Sequence, residues 1–92
     1  MSYRVELSPG AIRGFDALPA DIRPLVTARI DALAGDPRLS GTEASRGNLK
    51  GLRKLRVGRY RVCYSIDDAA RTVRLADIGH RRDIYRRIAR KR

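Results

Sequence analysis

Two short segments hold most of the side chains that could do chemistry. The first is Leu52-Arg53-Lys54-Leu55-Arg56-Val57-Gly58-Arg59-Tyr60-Arg61, and the second is Gly79-His80-Arg81-Arg82-Asp83-Ile84-Tyr85-Arg86. Side chains alternate along an extended strand, so Lys54 and Arg56 share a face, and beyond a turn at Gly58 so do Arg59 and Arg61. A row of cations on paired strands repels itself and is tolerated where an anion neutralises it. Guanidinium groups grip phosphate oxygens with two parallel hydrogen bonds, which makes nucleic acid the partner this pattern fits. The same arginines could instead lie along the sheet edge and guard it against aggregation. His80 adds a group that titrates near neutrality, unless it is a turn histidine bonding local backbone.

Other chemistries are thinly supplied. With one cysteine, Cys63, and one histidine, the chain has no intramolecular disulfide and no zinc site of the usual Cys/His kind. No His neighbours Cys63 to activate it, so it reads as a small residue on a strand. Asp67-Asp68 reads as a turn rather than a pair of metal ligands, and no cofactor is expected. Tyr60 and Tyr64 share a face with Val62 and are expected in the core.

These residues sit in a strongly basic chain. Lys+Arg number 21 and Asp+Glu 10, a formal net charge of +11. Residues 1–45 carry five Arg and six acids, whereas residues 46–92 carry sixteen Lys/Arg and four acids, so the positive field belongs to the second half. At 92 residues, 42% hydrophobic and 5% aromatic, the chain has enough aliphatic material for one modest core and is expected to be a single domain over residues 1–92. Its apolar stretches fall far short of the roughly 20 residues that span a bilayer, and its start lacks a basic-then-apolar leader. A soluble, cytoplasmic protein without membrane contact is the expectation.

The elements that must position the two segments follow from periodicity. Residues 3–7 alternate as a half-buried strand, and Ser8-Pro9 ends it and caps a short helix striped by Ala11, Phe15 and Leu18. Pro19 is expected to open a second helix, with Pro24 tolerated in its first turn or so. Ile22, Leu25, Val26, Ile30 and Leu33 form its apolar stripe, and Gly35 with Asp36-Pro37 ends it. Residues 38–50 read as a surface loop. The period then changes to two: a strand to Val57, a tight turn at Gly58-Arg59, a strand over Tyr60–Ile66, a turn at Asp67–Ala70 and a strand over Val73–Ile78. Gly79 should break that strand, and Asp83 should cap a short helix from Ile84 to Arg90, ahead of a basic tail at Arg90-Lys91-Arg92. The predicted class is α+β, a β-α-α-β-β-β meander sheet with a helical hairpin on one face and a short C-terminal helix.

Nearly the whole chain resembles one family. Its marks are the strand Tyr3–Leu7, the Ala11…Phe15…Leu18-Pro19 helix, the long helix ending at Asp36-Pro37 and Leu49-Lys50-Gly51-Leu52. The run Leu55-Arg56-Val57-Gly58-Arg59-Tyr60-Arg61-Val62-Cys63-Tyr64 and the end Gly79-His80-Arg81-Arg82-Asp83-Ile84-Tyr85 complete them. Together they are similar to the RelE/ParE superfamily of bacterial type II toxins. The resemblance implies a microbial-ribonuclease-like fold, a cognate antitoxin that neutralises the toxin and joins it in larger assemblies, and metal-independent cleavage of mRNA on the ribosome. The tyrosine-ended motif looks more like that ribonuclease branch than like the branch that poisons DNA gyrase. A gyrase inhibitor and a catalytically weakened RNA-binding homologue remain the alternatives.

What the resemblance implies for the residues is specific. Arg61 and Arg81 would hold the scissile phosphate, Tyr85 would stack on a base or orient the nucleophilic hydroxyl, and Lys54 would shuttle a proton or add positive field. Where the family's best-studied type has a second lysine two residues earlier, this chain has Leu52, and His80 could supply what is missing. Arg53, Arg56, Arg59, Arg82 and Arg86 are the further nucleic-acid-binding candidates.

Overall fold

The computed structural model describes residues 2–45 and 51–91. Strand β1 (Arg4–Leu7) leads into Ser8, whose hydroxyl accepts the Ala11 amide at 3.1 Å, and Pro9 opens α1 (Pro9–Asp16). The Ser-Pro signal works as expected, because the cap satisfies an amide that the first turn leaves free while proline has none to lose there. Helix α2 (Arg23–Gly35) begins later than its apolar stripe suggested. Pro19 starts a turn instead, its carbonyl accepting the Ile22 and Arg23 amides at 3.0 and 3.2 Å. Pro24 sits at the very start of α2, and without an N–H it cannot carry a regular helix through from Pro19.

The stretch read as a surface loop contains a strand. β2 (Thr42–Ala44) pairs antiparallel with β3 (Arg53–Val57), setting Glu43 opposite Lys54. Three residues are too few to leave an alternation in the sequence. Residues 46–50, including Leu49 and Lys50, lie outside the described residues, as does Arg92 of the basic tail. After the Gly58 turn (φ 59°) come β4 (Tyr60–Asp67) and β5 (Thr72–His80). The sheet order is β1-β5-β4-β3-β2. The expected meander therefore has four strands rather than three, and β1 joins it in parallel beside β5, Val5 opposite Val73. The fold is mixed α+β, as the sequence indicated.

One end of β5 also differs. Gly79 does not break the strand but lies within it opposite Arg61, with His80 opposite Tyr60. Helix α3 (Arg81–Lys91) follows directly. Asp83 lies in its first turn rather than at the cap, where its carboxylate still favours the positive end of the helix.

Helices α1 and α2 seal one face of the sheet. Ala11, Leu18, Val26 and Leu33 pack on Leu55, Val62, Tyr64, Val73, Leu75 and Ile78 in one cluster, all buried. Gly14 lets α1 approach closely: a Cβ there would collide with the Ile78 carbonyl oxygen. Of the two tyrosines expected in the core, Tyr64 is fully buried and Tyr60 packs partly buried against the cluster, and the Tyr64 hydroxyl donates to the Pro37 carbonyl at 2.6 Å. On the other face, Ile84 of α3 packs on buried Cys63, with Leu52 beside them. No helix among the described residues is long and apolar enough to cross a membrane.

Candidate functional site

The alternation on β3 and β4 does bring three of the expected cations together. Lys54 stands opposite Cys63 and Arg56 opposite Arg61, on the face away from α1 and α2. A cleft of about 210 Å³ opens there, lined by Gly41, Thr42, Glu43, Lys54, Arg56 and Arg61. Two arginines directly opposite each other repel. Here each finds a different acceptor. Arg56 Nη2 lies 3.7 Å from Glu43 Oε1, while Arg61 Nη1 donates to the Gly58 and Tyr60 carbonyls at 2.8 and 2.9 Å.

Arg61 is therefore not the exposed strand arginine that an outward-facing cation suggests. It is 8% exposed, and its guanidinium ties down the β3–β4 turn. Both hydrogens of Nη1 serve that turn, so contacts to a bound phosphate would fall to Nε and Nη2.

The group the sequence reading missed is Glu43. Its Oε1 lies 3.6 Å from Lys54 Nζ and 3.7 Å from Arg56 Nη2. Lys54 is mostly covered and Glu43 is more than half exposed, so the carboxylate is open to a ligand while its partners hold it in place. One signal in the sequence pointed to it: Glu43 is the only acid between Asp36 and Asp67.

The remaining candidates do not line this cleft. Arg59 and Arg81 meet through the backbone, the Arg81 amide donating to the Arg59 carbonyl at 3.0 Å. That bond seats the start of α3 against the hairpin turn that Arg61 braces. Arg81, Arg82 and Arg86 are exposed on α3. Tyr85 lies on the same helix, and its side chain lies outside what is described. Two candidates lie on the opposite face of the sheet. Arg53 is opposite Tyr64, on the face of α1 and α2, and its Nη2 donates to Thr42 Oγ1 at 3.0 Å. His80 shares the face of Tyr60, the two rings meeting edge to face at 5.8 Å, and its Nδ1 accepts the Arg82 amide at 3.3 Å.

Cys63, beneath α3, is no nucleophile. Burial, with Asp77 nearby, pushes its thiol from an ordinary 9.0 up to about 12 despite Lys54, Arg61 and Arg87 around it. Away from the cleft, Arg38 grips Asp68 at 3.0 and 3.3 Å, and the Tyr3 hydroxyl donates to the same carboxylate at 2.7 Å. Arg38 and then Tyr3 hold the Asp68 carboxyl below its ordinary range, so Asp68 serves the β4–β5 turn. No group of three or more His, Cys, Asp or Glu side chains among the described residues could hold a metal ion.

Comparison with known proteins agrees with this architecture. A family model described as the ParE toxin of the type II toxin–antitoxin system parDE matches residues 5–85. Toxin RelG of Mycobacterium tuberculosis is 36% identical over 88 residues, covering 95% of this chain and 100% of that protein. In the crystal structure of the toxin–antitoxin complex RelBE2 from the same organism, one chain is 32% identical with a TM-score of 0.78. That match covers 88% of this chain and 100% of that one. The isolated toxin RelE of Escherichia coli, at 18% identity and a TM-score of 0.74 over 98% of each chain, has the same fold.

Proposed function

This chain belongs to the RelE/ParE superfamily of type II toxins, and from that membership we propose that it is a ribosome-dependent mRNA endoribonuclease working at the Glu43–Lys54–Arg56–Arg61 cleft. The observation that carries the reading is one carboxylate held between two cations in an open cleft, with a braced arginine beside them. RNA can be cut there by its own 2′-hydroxyl. Glu43 takes the proton from the 2′-oxygen, which attacks the adjacent phosphorus as the bond to the 5′-oxygen breaks. Arg56 and Arg61 stabilise the negative charge that builds on the phosphorane, and Lys54 gives a proton to the departing 5′-oxygen.

A single carboxylate between cations is a poor cradle for Mg²⁺, which favours carboxylates with retained waters, so the reaction is metal-independent in this reading. Arg81 and Tyr85 on α3, and Arg59, Arg82 and Arg86, contribute contacts to the RNA from beside the cleft. His80 and Arg53 lie on the other face of the sheet and take no part in this mechanism.

The RelBE2 relative was crystallised as a toxin–antitoxin complex, and a cognate antitoxin is the partner proposed here, laid over the cationic face or the C-terminal helix of this toxin in the cytoplasm. The functional test is cleavage of a translated mRNA on purified ribosomes, run beside a DNA gyrase supercoiling assay. Cleavage without effect on supercoiling supports the ribonuclease. A toxin that blocks supercoiling and leaves mRNA intact assigns the chain to the gyrase branch, with which its matching family model shares a name.

A further inference from the structure

The mechanism leaves one buried acid unused. Asp77 is 3% exposed on β5, beneath α3. A regular strand would put it on the same face as Leu75, in the core against α1. The register slips instead: Val62 pairs with Ile78 and Cys63 with Asp77, but Tyr64 pairs with Leu75, leaving Ala76 as an extra residue. A bulge of this kind re-aims the side chain next to it, and here it turns Asp77 onto the face of α3 and the cleft. The bulge is itself anchored, because the Ser8 hydroxyl that caps α1 donates to the Ala76 carbonyl at 2.8 Å.

Asp77 then meets Arg87. Arg87 Nε donates to Oδ2 at 2.9 Å and Nη2 to Oδ1 at 3.1 Å, with a further bond from Nη2 to the Ile78 carbonyl at 3.3 Å. Gly79 makes room, since a Cβ there would lie 2.7 Å from Arg87 Nη2. These contacts fasten the middle of α3. Its start is fastened separately by the Arg81 amide on Arg59, beside the Arg61 turn.

Taking the cleavage reading above as its basis, we infer that Asp77 and Arg87 are positioning residues: their paired contact sets α3 on the sheet so that Arg81, at the start of the helix, is held in cleavage-ready register with the cleft. Neither residue touches the RNA. The bulge exists to aim Asp77, and Gly79 exists to admit Arg87.

Three variants of the full-length toxin test this. Arg87→Met removes the contact, Arg87→Lys keeps a cation beside Asp77 but loses the fork, and Gly79→Ala displaces the guanidinium without changing a charge. Hydrogen exchange reads α3, and ribosome-bound mRNA cleavage reads kcat and KM separately. Misplacing a contributing group by about 1 Å costs on the order of 100-fold in rate. For Arg87→Met the expected results are amides of residues 81–91 exchanging at least ~10-fold faster, β4 and β5 unchanged, and kcat down ~10–100-fold with KM within about threefold. Gly79→Ala should follow in weaker form, and Arg87→Lys should recover part of the loss. If Arg87→Met does not fold, the other two variants carry the same comparison.

The inference is overturned if α3 stays protected in these variants, or if α3 loosens and kcat does not change. A wild type that cleaves nothing refutes the ribonuclease reading instead. Exchange then still tests the clamp, with growth arrest per molecule of toxin replacing kcat: loosened α3 with unchanged arrest overturns it, and loosened α3 with weakened arrest supports it.

Discussion

The two faces of the sheet are held to their helices by different physics. On the α1 and α2 face, ten buried residues from Ala11 to Ile78 interdigitate without a charge among them. Among the described residues, contact on the α3 face rests on a small apolar patch of Cys63, Ile84 and Leu52, supplemented by the Asp77–Arg87 pair and backbone bonds. The first face stabilises through area removed from water, which is non-directional and tolerant of small shifts. The second depends on the direction of a few hydrogen bonds, which is what a site that must position charges requires. A fold that separates the two tasks can carry a strongly cationic surface without burying it.

The largest effect that should separate the faces comes from the apolar one. Leu33→Ala, at a fully buried position, should cost ~2–5 kcal/mol, a substantial fraction of the stability of so small a domain, with thermal melting as the check. Any activity lost should return in proportion to the folded fraction.

On the other face, Arg61→Ala should reduce cleavage by ~10²–10³, about 2.7–4 kcal/mol in the barrier, if it stabilises the phosphorane. It should also lower Tm, because the Gly58 and Tyr60 carbonyls lose their shared donor. Cleavage at the wild-type rate per folded molecule would remove Arg61 from the chemistry and leave it a turn brace. Tyr64→Phe should have a smaller effect than either. Leaving the buried Pro37 carbonyl without its 2.6 Å donor should cost ~1–3 kcal/mol and leave kcat untouched.

Cys63 supplies a pH test. Its thiol stays protonated in the folded protein up to about 12 but ionises in the unfolded chain above its ordinary 9.0. Between those values the folded state holds the extra proton, so stability falls as pH rises, by ~1.4 kcal/mol per unit at most. Melting curves from pH 8 to 11 should show the decline, and Cys63→Ala should lessen it with cleavage unchanged. The smallest effect belongs to the exposed Arg38–Asp68 pair: Asp68→Asn should leave Tm and cleavage within error.

These contrasts explain what the sequence could reveal. The apolar face was legible because its residues recur at helical and strand periods, and local chemistry at Ser8-Pro9 and Gly58 marked its boundaries. Strand β2 was not, since three residues carry no period, and with it went Glu43. The parallel pairing of β1 with β5 joins residues about 68 apart and leaves no local trace. Arg61 shows a subtler limit: alternation tells which face a side chain leaves from, and not that its guanidinium folds back onto its own turn. Gly79 looked like a strand breaker because the bulge at Ala76 that reassigns faces cannot be seen in the pattern. Arg87 was hidden among the other arginines of α3, distinguished from them only by the acid that the bulge aims at it.

If Glu43 and its cationic partners cut RNA by activating the 2′-hydroxyl, the ends of the products carry the mark of that chemistry. Wild-type toxin, translating ribosomes and a defined mRNA should give upstream fragments ending in a 2′,3′-cyclic phosphate and downstream fragments beginning with a 5′-hydroxyl. Glu43→Gln, which keeps size and hydrogen bonding but cannot accept the proton, should reduce their yield by ~10²–10⁴-fold. Products with 5′-phosphate ends, or a Glu43→Gln variant that cuts as fast as the wild type, would contradict the account.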